Sequence, residues 1–221
     1  MTNWDIVLGE WPRFLSGFTN TLALFGLSVL VAAVLGTVLV NGLVSTRASV
    51  RLAARVFTDG MRMLPFLIFA YLIYYGLPSF GIRLGAWTAG LLALGTYHAA
   101  YVAEILRGAW SQLPPGQAEA AKALGHHGRG LFLRIILPQL VLGSGPVLGN
   151  QLVYMLKDTA FLMIITVQEL TYAASSVQSM YFVPLEPFVV AIALYWLSTL
   201  AIEQLTRVIQ RIARRRGLGR T

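Results

Sequence analysis

Residues 18–40 read FTNTLALFGLSVLVAAVLGTVLV, a run of 23 positions without one charged side chain. A helix rises about 1.5 Å per residue, so a run of this length crosses the roughly 30 Å hydrocarbon core of a bilayer. Only a helix or a closed barrel satisfies every backbone N–H and C=O at that depth. Comparable apolar runs lie near residues 61–80, 86–107, 138–158 and 187–208. The fourth is the least apolar, because Gly143, Gly145, Pro146, Gly149 and Lys157 interrupt it, and Pro146 is expected to bend it. The composition agrees: 57% of the 221 residues are hydrophobic and 12% charged, too little polar surface to cover a water-soluble globule. The expected fold is all-α and integral to a membrane, with about five transmembrane helices. No fixed-period repeat or low-complexity stretch divides residues 1–221, which read as a single transmembrane domain. The start, MTNWDIVLGEWPRF, carries Asp5 and Glu10 ahead of Arg13 and does not resemble a cleaved secretory signal.

A net charge of +8 would suggest nucleic acid in a soluble protein, but here it is read by position, and no nucleic-acid partner is expected. The first connection carries Arg47, Arg51, Arg55 and Arg62, and the third carries Arg107, Lys122, Arg129 and Arg134. The tail from 207 to 221 adds Arg207, Arg211, Arg214, Arg215, Arg216 and Arg220. The opposite side holds Arg13 and Arg83, and its long connection, about 159–186, has Glu169 and Glu186 but no Lys or Arg. Cationic loops stay cytoplasmic, so the N-terminus is expected outside and the C-terminus inside. The arginine tail reads as a topology anchor in contact with anionic membrane lipid. Tyr71, Tyr74 and Tyr75, beside Gly76 and Pro78, read as an interfacial belt.

The third connection, SQLPPGQAEAAKALGHHGRGLFLRIILPQ from Ser111 to Gln139, is too patterned for a simple turn. Pro114, Pro115 and Gly116 break the chain, Gln117 to Leu124 is an alanine-rich helix former, Gly125 permits a reversal, and Leu131 to Leu137 returns to Pro138. The expected result is a short helix-turn-helix at the cytoplasmic surface, between the third and fourth spans. Glu119-Ala120-Ala121, three residues, Gly125, nine residues and Ile135-Ile136-Leu137-Pro138 resemble the EAA loop of binding-protein-dependent ABC importer permeases. The resemblance covers about residues 17–200. Ala100-Tyr101-Val102-Ala103-Glu104-Ile105-Leu106-Arg107-Gly108, Pro114-Gly116-Gln117 and Leu156-Lys157-Asp158-Thr159 resemble the polar amino acid branch. This chain has Ala160-Phe161 where that branch usually has Ser-Leu.

The resemblance implies an ATP-driven importer of a polar amino acid or amino-acid derivative, in the inner (plasma) membrane of a bacterium. It implies four kinds of partner subunit or surface: a cytoplasmic ABC ATPase, a second permease subunit, an extracytoplasmic solute-binding protein and membrane lipid. It gives Gly116, Gln117, Glu119, Ala120, Ala121, Gly125, Leu137 and Pro138 to an ATPase-coupling loop. Small alanines let a helix sit deep in a partner's groove, and Glu119 can meet a basic partner or cap its own helix. No cofactor is expected in this chain; ATP and Mg would reside on the partner ATPase.

A charge at membrane depth costs at least about 2.5–3.5 kcal/mol, so each needs a partner or a task. Glu104 and Arg107, three apart on the third span, read as a structural pair. Asn150, Gln151, Tyr154, Lys157 and Asp158 recur at helical spacing and should face the protein interior. Gln151, Tyr154, Lys157 and Asp158 form the candidate substrate pathway; alternatively Lys157 and Asp158 neutralise each other. By resemblance, carriers of basic amino acids tend to have a carboxylate where this chain has Gln151, which disfavours a strictly cationic substrate. His98 reads as a packing residue and His126 and His127 as loop residues.

The two lysines, Lys122 before Ala and Lys157 before Asp, exclude a Gly-Lys-Ser/Thr phosphate loop. The chain has no cysteine, which excludes thiol chemistry, and no catalytic motif, so it is not expected to be an enzyme. The competing reading is a gradient-driven secondary carrier of a small polar solute, with Asp158 or Glu104 as its ion site; a scaffold without transport activity is a third.

Overall fold

Thr2 caps a short helix α1 (Asn3–Gly9) with a reciprocal capping box to Asp5, and Pro12 in the first turn of α2 (Trp11–Leu43) starts the helix that carries the decisive apolar run. The computed structural model describes residues 2–215. Helix α2 is 33 residues long, so it begins well before residue 18. Its buried positions, Phe14, Gly17, Thr21, Leu24, Ser28, Ala32, Gly36, Val40 and Leu43, fall every three or four residues and make one narrow stripe of mostly small side chains. That stripe packs along α5 (Ala86–Trp110), the most buried span. A Cβ on Gly95 would sit 2.6 Å from Val31 Cγ1, and one on Gly36 would sit 2.7 Å from Val102 Cγ1. The two backbones approach as closely as glycine alone permits, which is how helices associate where no hydrophobic force separates protein from lipid.

The second expected span is not one helix from residue 61. An amphipathic helix α3 (Ala48–Met63) ends at Leu64, whose ψ of 141° is extended because Pro65 follows it, and the chain turns by 106° into α4 (Phe66–Tyr71). Helix α4 continues through a π turn and a 3₁₀ turn to Phe80. Arg47, Arg51, Arg55 and Arg62 are exposed on or next to α3, so the basic first connection is itself helical. The fourth span is also broken. After α6 (Pro115–Ala123), α7 (Gly128–Leu131) runs through a π turn into α8 (Leu137–Gly143), then bends by 72° into α9 (Gly145–Asp158). The bend falls at Ser144, two residues before Pro146, which lacks the N–H that would continue the ladder. Among the described residues, three helices are long and apolar enough to cross a bilayer alone, and counting each bent pair as one span gives five.

The long fourth connection is structured rather than a loop: a 3₁₀ turn (Thr159–Ile165) leads to α10 (Leu170–Tyr181), which packs on α2 and on α11 (Glu186–Arg215). Helix α11 extends past residue 208 and carries Arg207, Arg211, Arg214 and Arg215 of the basic tail, whereas residues 216–221 lie outside the described chain. Among the described residues, buried side chains form three clusters. Val7, Phe14, Leu170, Ala174, Val177, Val183 and Ala191 close the end that holds α1 and α10. Leu24, Phe66, Leu94, Tyr97 and Met155 belong to the middle, and Val40, Leu106, Phe132, Ile136 and Leu140 close the opposite end beside α6.

Candidate functional site

The proline at the start of α6 fixes an opening φ, and the helix ends in a Schellman arrangement. His126 N–H donates to Ala121 O at 3.0 Å and Gly125 N–H to Lys122 O at 2.9 Å, with Gly125 at φ +85°. Only glycine takes that φ without strain, which explains its place in the motif. Ala121 is turned inward, 5% exposed, and Ala118 packs against the cluster beneath. Gly116, Gln117, Glu119 and Ala120 are exposed, and Leu124 stands 80% free of its own chain. The motif therefore divides: Ala121 and Gly125 shape the helix and seat it, while Glu119 and Ala120 lie on its free surface. Leu137 is half-buried and Pro138 lies in the first turn of α8, so both belong to the return path rather than to the exposed face.

Beneath this loop, Glu104 accepts from Arg107 Nε and Nη2 at 2.8 and 2.6 Å and lies 3.9 Å from Arg62. Arg62 sits 5.8 Å from the Tyr101 ring centre, and Tyr101 donates to Arg62 O at 3.4 Å. The expected Glu104–Arg107 pair is thus part of a larger joint that holds the α3–α4 elbow against α5.

The polar residues of α9 do not share one face. Asn150, Tyr154 and Lys157 are exposed in a line with Val147 and Phe161, while Gln151 and Asp158 turn toward α5. There they meet His98, which is 1% exposed. Gln151 Nε2 lies 2.7 Å from His98 Nδ1, and His98 Nε2 lies 3.2 Å from Asp158 Oδ2. Among the described residues, the ring nitrogen close to Asp158 is that of His98, and no ion pair joins Asp158 to Lys157. His98 is therefore more than a packing residue. Phe66, Tyr97 and Tyr101 surround its ring at centroid distances of 6.3, 5.4 and 6.2 Å. His98 and Gln151 also reach the wall of a mostly apolar cavity of about 270 Å³ between α2, α5, α9 and α11. A signal for His98 was present: an ionisable ring inside an apolar helix needs a partner, and the polar stripe of α9 held the candidates.

At the other end, Glu169 is fully buried and caps α10, accepting from Thr171 N, Tyr172 N and Tyr195 Oη at 2.8, 2.7 and 2.8 Å. Burial pushes its carboxyl above the usual carboxylate range, against the pull of these donors. Asn20 donates to Gln168 O and accepts from Trp87 Nε1, both at 2.8 Å. These contacts join α2, α5 and the segment before α10, and nothing in the local sequence announced them.

A bundle of broken and unbroken membrane helices with an exposed, glycine-terminated helix at one end is the architecture of a transport-system membrane subunit. Residues 28–215 match the family described as binding-protein-dependent transport system inner membrane component, and the chain belongs to that family. A probable amino-acid ABC transporter permease protein of Sinorhizobium fredii is 32% identical over 97% of this chain and 96% of its own. An octopine transport system permease protein of Rhizobium meliloti is 38% identical over 84% of this chain and 80% of its own. Among solved structures, an amino acid ABC transporter with histidines superposes with a TM-score of 0.82 at 34% identity, covering 92% of this chain and 95% of that one. The chain is a multi-pass permease component of a bacterial inner membrane.

Proposed function

We propose that this chain forms half of the translocation pathway of an ATP-driven importer for a polar amino acid or an amino-acid derivative such as an opine. It acts as a single transmembrane domain and pairs with a second permease subunit. The reading rests on one observation above the others: the exposed Glu119-Ala120 face of α6, in a chain of this family, with no phosphate-binding loop of its own. Relatives named for amino-acid, octopine and glutamine transport support the substrate class, and they favour this reading over a gradient-driven carrier.

In the proposed mechanism, an ATPase subunit receives α6 in a surface cleft and its closure moves the loop. ATP and Mg stay on that subunit, so this chain supplies no hydrolytic group. The motion passes through Ala118 and the cluster of Phe132, Ile136 and Leu140 to α8 and α9, and through Leu106 to α5. The N-terminus lies outside, where a solute-binding protein delivers the ligand, and the arginine-bearing α3 and α11 lie on the cytoplasmic side against anionic lipid. Asn150, Tyr154 and Lys157 would be costly against lipid, so their line on α9 faces the second permease across an aqueous path. Tyr154 and Lys157 on that line, with the part-exposed Gln151 and Asp158 on the adjoining face, can replace water around a zwitterion's ammonium and carboxylate.

The test is co-purification of the tagged chain in mild detergent. Recovery of a Walker-motif ATPase, with uptake that vanadate inhibits, is the expected result. A chain that purifies alone and transports in liposomes without ATP would sink the proposal.

A further inference from the structure

The geometry points to a task for His98: we propose that it sets the charge selectivity of the translocation pathway by occupying one oxygen of Asp158. The inference rests on the pathway reading above. As placed, the Gln151 amide nitrogen can only donate, so it fixes His98 Nδ1 as the acceptor and leaves the neutral ring's hydrogen on Nε2. That N–H is turned to the side of Asp158 Oδ2, 3.2 Å away, but lies off the N···O line, so buried Nε2 has no well-directed hydrogen bond. The contact is a charge–dipole attraction. It occupies Oδ2 and leaves the rest of a carboxylate whose side chain is 22% exposed.

The ring cannot drift away. Phe66 on α4 and Tyr97 and Tyr101 on α5 hold it from behind, and Gln151 holds it from the side. The charged groups that α9 brings near are Asp158 and, on the exposed face, Lys157. A substrate therefore meets a cation, an amide and a carboxylate already partly satisfied from within. That set suits a zwitterion with a neutral side chain; a second cation gains less from Asp158 than it would from a bare carboxylate.

Two replacements separate the ring's two contacts. His98→Asn places an amide where Nδ1 was and keeps the Gln151 contact but uncovers Asp158; His98→Gln places an amide nitrogen near Nε2 and keeps Asp158 covered. The complete transporter, purified with its ATPase and permease partners and without the external receptor, is tested for binding of radiolabelled L-glutamine and L-arginine. His98→Asn should raise the arginine-to-glutamine affinity ratio about tenfold, the size of one hydrogen bond gained to a charged group, and adding Asp158→Asn should abolish that gain. His98→Gln should stay within about twofold of the parent. An unchanged ratio in His98→Asn, or equal shifts in both variants, overturns the assignment.

A measurement without substitution guards against misfolded variants. Nitrogen NMR of the ring at neutral pH should show the Nε2–H tautomer, and an Nδ1–H tautomer overturns the proposal. Gln151→Ala and Tyr154→Ala separate the layers of the argument. If they leave both ligands' affinities unchanged, the pathway reading fails and takes this inference with it. If they weaken binding while the His98→Asn ratio does not move, the role of His98 alone fails.

Discussion

The two ends of the molecule are built on opposite plans. Around α6, a few residues close in sequence make a helix whose alanines and glycine fix its shape and whose Glu119, Ala120 and Leu124 are left free. Around α10, the helix is tied into the bundle by a buried Glu169 and by hydrogen bonds with residues far along the chain: Leu170 N–H donates to Thr21 Oγ1, Asn20 to Gln168 O and Tyr195 Oη to Glu169. The first end is free to be gripped from outside, and the second is held from within. The contrast implies that substitutions at α6 damage function without damaging the fold, whereas substitutions at the α10 end do the reverse.

The sharpest break of that contrast is Glu119→Lys. Reversing a charge at a docked carboxylate costs about 2–5 kcal/mol, so uptake should fall by at least tenfold and the ATPase should no longer co-purify. Glu119 is exposed and, among the described residues, its side chain joins no hydrogen bond or ion pair, so membrane insertion and melting temperature should match the parent. A large fall in melting temperature would show that α6 is tied in as α10 is, and the contrast would be gone.

Between the two ends, the α2–α5 seam should be the place where fold and function fail together. Gly95→Leu forces a side chain against Val31, where even a Cβ would lie 2.6 Å away. Overpacking of this kind costs about 1–3 kcal/mol, and detergent-purified protein should melt several degrees lower and expose protease sites. A variant that melted like the parent would mean that the helices can separate freely, and α5 could not then hold His98 in register with α9.

How much of this was legible follows the same division. The apolar run at 18–40 and the breaks and alanines between Pro114 and Gly125 are local or periodic, so α2 and the short helix α6 were legible in the sequence. The break at Leu64 was missed because the apolar run passes through it; the cue was Pro65, which acts on the residue before it. The polar stripe on α9 was seen, but its division was not, since exposure on a helix depends on which neighbour covers each face. Gln151 and His98 are 53 positions apart, and Asn20 and Gln168 are 148 apart. Such pairings are set by packing, and no local pattern carries them.

Asn20→Ala probes the tied end directly. It leaves the part-buried Trp87 Nε1 without its partner and Gln168 O, at an exposed site, to water, and losing hydrogen bonds of this kind costs about 0.5–1.5 kcal/mol each. Melting should drop by a few degrees while ATPase co-purification stays intact. Loss of the ATPase with no change in melting would reverse the assignment of roles to the two ends.

The smallest effect, and the most specific, is the pH dependence of Glu169. Burial raises its carboxyl in the folded state above the ordinary value of 4.5, while the unfolded chain returns it toward that value. Across the window between the two, the folded protein binds more protons, so this site's contribution to stability is fully present below the ordinary value and declines as pH rises toward the folded one. The slope from a single group cannot exceed about 1.4 kcal/mol per pH unit. Melting of the purified protein from about pH 4 to pH 8 should therefore decline more steeply in the parent than in Glu169→Gln, whose amide does not titrate. Gln still caps α10 through its oxygen, so the two proteins should differ in slope more than in mean stability. Equal slopes would mean that the donors on Glu169 offset its burial, and that α10 is held by an ordinary ionised cap.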